Sequence, residues 1–311
     1  MRGVIRPAVT TNIVPDSEYT GFMGLLPPKL RGFALLARFD RPIGWWLLFW
    51  PCIYGLALSG GLIAQWRLAL WMLLGAIVMR GAGCVYNDIV DRDLDRQVAR
   101  TAARPLPSGA VGLKAAWIWL SSLCAVGLAV LLQLRWEAQI VALGSLALVA
   151  AYPFMKRITW WPQLWLGLVF SWGALVGWVA ITGSADVPLF WLYAGTISWV
   201  IGYDTIYAMQ DREDDALVGI KSSALRLGGH IRAGVTVFYA LALTGWGMAI
   251  WSIRPEKQAL VALAPVAIHL GLQLFSLKAD GSNALALFRA NRMAGLLAAL
   301  AFLVVGAAGQ Y

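Results

Sequence analysis

Residues 69–95 read ALWMLLGAIVMRGAGCVYNDIVDRDLD. From Ala69 to Tyr86 the run is apolar apart from Arg80, and as a helix it nearly crosses a hydrocarbon layer of about 30 Å. No two-residue alternation interrupts it, which excludes a strand of an outer-membrane barrel. It then ends in Asn87, Asp88, Asp91, Asp93 and Asp95. Acids packed this tightly repel one another, so something must offset their charge.

The rest of the chain repeats the first half of that pattern. Of 311 residues, 60% are hydrophobic and 13% charged, and the mean hydropathy is +0.69. A soluble domain carries roughly 25% charged residues. This composition excludes a soluble enzyme, a DNA-binding protein and a disordered chain. The predicted fold is all-α: a polytopic membrane protein, a bundle of about nine transmembrane helices around a central cavity open to the cytoplasmic side. The spans fall near 44–64, 69–87, 113–133, 138–154, 164–182, 189–210, 234–252, 258–276 and 290–309. Residues 1–39 form an N-terminal cytoplasmic segment, broken by prolines and partly amphipathic over 30–39. They hold no secretory signal pattern. Residues 40–311 form one membrane domain.

The net charge of +9 follows the positive-inside bias rather than a nucleic-acid surface. Twenty Lys and Arg fall in the N-terminal segment and the loops after spans two, four, six and eight, against four on the other side. That ratio puts the N terminus in the cytoplasm and the C terminus on the opposite side. The expected location is a bacterial inner membrane, or the mitochondrial inner membrane if the chain is eukaryotic. Cys52, Cys84 and Cys124 have no ligand spacing, and His230 and His269 lie far apart. Neither a disulfide framework, a zinc site nor a Ser-His triad is expected.

Nine of the sixteen acids sit in two stretches, Asp88 to Asp95 and Asp204 to Asp215. At about 100° per residue, Asn87, Asp91 and Asp95 share one helical face, with Asp88 one step aside and Arg80 on the same face. Asp204, Asp211 and Asp215 fall within about 40° of one line, with Tyr207 close to it. Asp93 and Glu213 point elsewhere. A hard divalent cation with oxygen ligands is the simplest partner, and Mg²⁺ takes phosphate oxygens as further ligands. Arg41, Arg80, Arg100, Arg104, Lys156 and Arg157 can hold the rest of a polyanion. A diphosphate on a polyprenyl chain fits that combination. Acids beside arginines also form plain surface salt bridges, and membrane-edge acids also couple ions in secondary transporters. The Asp-rich glycine-punctuated motif of lipid phosphotransferases is absent.

The same residues resemble the UbiA-type intramembrane prenyltransferase family. Asn87 through Asp95 is similar to its NDxxDxxxD motif, and Asp211 to Asp215 to its DxxxD motif. Arg104-Pro105-Leu106-Pro107-Ser108-Gly109, Asp40-Arg41-Pro42-Ile43-Gly44 and Tyr152 through Arg157 also match. The pattern is most similar to members that prenylate 4-hydroxybenzoate in ubiquinone biosynthesis. The resemblance implies that Asn87, Asp88, Asp91 and Asp95 hold one side of a Mg²⁺–diphosphate, and Asp211 and Asp215 the other. It implies that Asp91, Asp95, Asp211 and Asp215 carry catalysis. Asp204 and Tyr207 would line the cavity, and Arg41, Arg80 and Lys156 would touch the diphosphate or the aromatic acid. Polyprenyl diphosphate and 4-hydroxybenzoate are then the partners, with no nucleic acid and no obligate protein partner.

Overall fold

The computed structural model describes residues 25–96, 99–212, 216–217 and 219–308. The regular elements among them are helices, with no strand. Most of the N-terminal segment (1–24) and Asp215 lie outside the described residues.

Every apolar stretch read from the sequence is helical. A short helix α1 (Pro28–Leu36) precedes α2 (Ile43–Leu58) and the long α3 (Trp66–Val90). Two single turns follow, α4 (Arg92–Asp95) and α5 (Ala99–Ala102). Then come α6 (Leu113–Leu131), α7 (Trp136–Ile158), α8 (Pro162–Thr182) and α9 (Val187–Tyr207), which runs on as a 3-10 turn, Ala208–Asp211. After α10 (Ser223–Leu227), α11 (Ile231–Ile253) is followed by α12 (Lys257–Leu260), α13 (Ala264–Ser276) and α14 (Ala284–Ala308). Seven helices among the described residues are long and apolar enough to cross a membrane. Two further apolar helices stand beside them: α2, with 16 residues, and α9, with 21.

Three boundaries differ from the sequence reading by four residues or more, each for a local reason. The first span stops at Leu58 rather than 64, where Gly60 takes φ 81, a left-handed conformation that glycine adopts without a Cβ penalty. The fourth continues through Pro153 to Ile158. Membrane helices tolerate such a proline when neighbouring groups satisfy the freed carbonyl. The last begins at Ala284, six residues early, because the polar Asn291 is fully buried and bonded rather than at a helix end.

The chain divides into two compact units, with boundaries after Pro42, inside α3 after Arg80 and inside α6 after Ser122. The first comprises the described residues up to Pro42 with Gly81–Ser122. Here the ring of Trp119 meets Phe33 edge-on at 5.8 Å and Phe39 at 6.5 Å, and its indole N–H donates to the Phe33 carbonyl at 3.1 Å. A Cβ on Gly81 would come within 3.0 Å of the Phe39 ring, so the missing side chain lets the end of α1 close on α3.

The second unit comprises Ile43–Arg80 and the described residues from Leu123 onward. Within it α9 packs on α8, α11 and α14, α2 packs on α8 and α14, and α7 lies along α8. Lipid tails are as apolar as leucine, so close backbone approach rather than water exclusion drives such contacts. A Cβ on Gly177 would strike the backbone of Cys52 and Leu56, and one on Gly245 would strike Gly195. The centre is aromatic: Tyr54, Trp199, Tyr203, Trp246 and Phe302 are all buried, with ring centroids 5.1–6.0 Å apart between neighbours. Four polar side chains in this interior are paired in a chain. Trp199 donates to Asn291 at 2.9 Å, Asn291 donates to Gln273 at 3.1 Å, and Tyr239 donates to the same Gln273 oxygen at 3.0 Å.

Candidate active site

The first acidic group belongs to the first unit. α3 formally ends at Val90, yet its hydrogen-bond ladder continues: Asp91 N–H donates to Asn87 O at 2.9 Å and Asp95 N–H to Asp91 O at 2.8 Å. The helical phase is thereby kept from Asn87 to Asp95, and the single face expected for Asn87, Asp91 and Asp95 follows. Asp91 and Asp95 are buried, whereas Asp93 is 72% exposed and paired with Arg92. Thr101 fastens the turn by donating to the Asp95 carbonyl at 2.9 Å.

Asp88 is held by two arginines. One guanidinium nitrogen of Arg38, Nη2, donates to both its oxygens, at 2.9 and 3.0 Å. Arg104 reaches Asp88 Oδ1 at 3.4 Å and Asp95 Oδ2 at 2.8 Å through the same Nη1. Arg38 also donates from Nη1 to the Leu35 carbonyl at 3.0 Å. Burial works against its charged form, but the Asp88 carboxylate, with smaller help from Cys84 and Asp40, more than compensates and holds its pKa above the ordinary value. Arg41 lies beside the buried Asp40, Nε to Oδ2 at 3.5 Å. The helix carrying Arg100 is described but its side chain is not.

The second unit holds Arg80, Lys156, Arg157, Asp204, Tyr207 and Asp211. Arg80 sits with its guanidinium carbon 5.9 Å above the Phe170 ring and acts electrostatically on Asp204. A Cβ on Gly44 would lie 2.8 Å from Arg80 Nε, so that glycine makes room for the side chain. Tyr207 tilts against Phe288 at 4.5 Å. Thr205 and Ser223 share a hydrogen bond of 2.8 Å, and the Ser223 N–H donates to Gln163 Oε1 at 2.9 Å. The segment after the second acidic group is also tied to the end of α7. Lys221 N–H donates to the Lys156 carbonyl at 3.2 Å, and its ammonium to the Ile158 carbonyl at 3.2 Å. Lys156 and Arg157 occupy the last turn of α7, where cations complement the helix dipole.

One geometric expectation is corrected here. A continuous α-helix would align Asp204 with Asp211, but the helix tightens to 3-10 over Ala208–Asp211. At about 120° instead of 100° per residue, that turn carries Asp211 roughly 60–80° further around the axis. Asp215, assigned to the same line, lies outside the described residues.

Sequence reading missed four participants. Arg38 stood out only as one charge among many, Phe170 as an ordinary span residue, and Gln163 and Phe288 fell just outside the spans as drawn. Arg38 is 50 residues from its partner in the chain, which no local spacing reveals.

Residues 48–294 match the UbiA prenyltransferase family. The chain belongs to this family. Among relatives of the UbiA chain, the mitochondrial 4-hydroxybenzoate polyprenyltransferase of Drosophila melanogaster is 43% identical over 301 residues, covering 96% of this chain and 76% of that protein. The human mitochondrial 4-hydroxybenzoate polyprenyltransferase is 42% identical over 256 residues, 81% of this chain and 68% of that one. In structure the chain is similar to a UbiA homolog from Aeropyrum pernix, with a TM-score of 0.69 and 28% identity, covering 83% of this chain and 97% of the other. It shares its fold with a UbiA homolog from Archaeoglobus fulgidus bound to GPP and Mg²⁺, with a TM-score of 0.64 and 19% identity, covering 89% and 99%. Membership in this family decides against the ion-coupled transporter reading.

Proposed function

We propose that the chain is an integral-membrane 4-hydroxybenzoate polyprenyltransferase. It moves a polyprenyl group from polyprenyl diphosphate to the ring carbon ortho to the hydroxyl, releasing diphosphate, in ubiquinone biosynthesis. The observation that carries this reading is the identity above 40%, over most of the chain, to proteins of that name.

Mg²⁺ suits the donor set, which is carboxylate and carboxamide oxygen. Among the described residues no group of three or more Asp, Glu, His or Cys forms a metal cage by itself. Mg²⁺ completes its shell with water and with phosphate oxygen from the substrate. The proposed holders are Asn87, Asp91 and Asp95 from one acidic group, and Asp211 and Asp215 from the other. When bound, Mg²⁺ supplies positive charge to the leaving diphosphate.

The chain's own residues do the rest. Arg41, Arg80, Lys156 and Arg157 supply further positive charge to diphosphate and to the carboxylate of the acceptor. As the allylic C–O bond breaks, Phe170, Tyr207 and Phe288 offer aromatic faces to the prenyl cation. Asp204 with Arg80 orients the acceptor, whose ring, enriched by its hydroxyl, attacks the cation and then gives its ring proton to the released diphosphate or to a carboxylate of either acidic group. The basic loops after α3 and after the 3-10 turn keep water from the cation. Residues 40–311 act as one catalytic domain, and the charge bias puts the N terminus on the cytoplasmic side of a bacterial inner membrane, or on the matrix side in mitochondria.

The decisive assay combines purified protein in detergent with 4-hydroxybenzoate, a polyprenyl diphosphate and Mg²⁺. The prenylated acid is the expected product, and its absence with every chain length tried ends this reading.

A further inference from the structure

We propose that Arg38 is a positioning residue of the first acidic group, with Asp88 as its anchor rather than as a metal ligand. The inference deepens the proposed function and rests on it.

Three observations carry it. First, Arg38 divides its guanidinium between two tasks: Nη1 caps the Leu35 carbonyl at the end of α1, and Nη2 spans both oxygens of Asp88. The two side chains are 11% and 1% exposed. With Arg104 added on Oδ1, Asp88 accepts three hydrogen bonds from two cations, which already offset its charge and compete with a metal for its oxygens. Second, Arg38 has φ 58 and is the only non-glycine residue with positive φ among those described. A left-handed residue at the end of a helix is usually glycine. An arginine there accepts backbone strain, and such strain persists where the surroundings demand it. The reward is a side chain turned from α1 onto Asp88. Third, Asp88 sits one helical step, about 100°, from Asn87. A grip on Asp88 therefore sets the rotation of the helix end that presents Asn87, Asp91 and Asp95, without occupying their face.

The test uses full-length protein and four variants: Arg38→Gly, Arg38→Lys, Asp88→Asn and Arg38→Gly with Asp88→Asn. Glycine suits the left-handed backbone, and the double variant leaves no orphaned carboxylate, so both retain the fold by thermal melting. Two readouts are taken: Mg²⁺-dependent binding of geranyl S-thiodiphosphate, which needs no turnover, and kcat and KM for prenyl transfer. Arg38→Gly and Asp88→Asn should each weaken probe binding about tenfold or more and raise KM more than they lower kcat. The double variant should be no worse than the poorer single, and Arg38→Lys should recover part of the loss. Two results overturn the inference. One is Arg38→Gly binding the probe like the unaltered chain. The other is Asp88→Asn raising the Mg²⁺ requirement with losses that multiply in the double variant, as a true ligand would. A chain that binds the probe with this pattern but makes no prenylated acid refutes the proposed reaction and leaves the positioning role standing.

Discussion

The hydroxyl of Thr205 lies 2.8 Å from the hydroxyl of Ser223, and both residues are fully buried. Thr205 follows Asp204 on α9, and Ser223 opens α10 beyond the second acidic group. This one hydrogen bond, with the Ser223 N–H on Gln163, joins the helix before the acids to the chain after them.

Ser223→Ala should therefore cost about 1–3 kcal/mol, because it strands the Thr205 hydroxyl in an apolar interior. Thr205→Val added to it should restore part of that loss. A thermal-melting double-mutant cycle measures the coupling. Additive losses would show that the two hydroxyls do not act as a pair.

Asp91→Ala and Asp215→Ala should each lower turnover by roughly 100-fold or more, the scale seen when one electrostatic stabiliser is removed. Melting temperatures should stay near that of the unaltered protein. EDTA should silence the enzyme and added Mg²⁺ restore it. Full activity in either variant contradicts the assignment of both acidic groups to one diphosphate.

Arg80→Met removes the cation that acts on Asp204 and stacks over Phe170. We expect kcat/KM to fall at least about tenfold, which is about 1.4 kcal/mol of transition-state stabilisation. Adding Asp204→Asn should recover thermal stability, since no orphaned carboxylate remains, but not activity. Recovery of activity as well would assign the pair a purely structural role.

Gly177→Ala places a methyl group against the backbone of Cys52 and Leu56, where α2 and α8 meet. Overpacking of that kind costs about 1–3 kcal/mol. A scan of denaturation temperature in detergent checks it. An unchanged midpoint would mean that the two helices separate without penalty.

The fold was legible because hydrophobic runs of this length have few alternatives, and each of the nine stretches is mainly helical where it is described. The one-turn spacing of Asn87, Asp91 and Asp95 was legible too, since backbone bonds link Asp91 to Asn87 and Asp95 to Asp91. The second acidic group was harder. A switch from α to 3-10 over Ala208–Asp211 leaves residue spacing unchanged while rotating the side chains. Arg38 was hidden for a different reason: its meaning lies in a partner 50 residues away and in a backbone angle that no composition encodes. The fourth span was drawn across Pro153 to 154, and the helix runs one turn further, to Ile158.

Helix α7 presents Trp136, Ile140, Leu143, Leu146, Phe154 and Ile158 outward, all exposed. In a bilayer these side chains are solvated by acyl chains, so the surrounding lipid is part of what keeps this helix in place. Its last turn bears Lys156 and Arg157. Harsh delipidation would then disturb those two cations before the interior around Trp199 and Trp246 gives way. Preparations that look intact by bulk spectroscopy would have lost turnover, and re-adding phospholipid would bring it back.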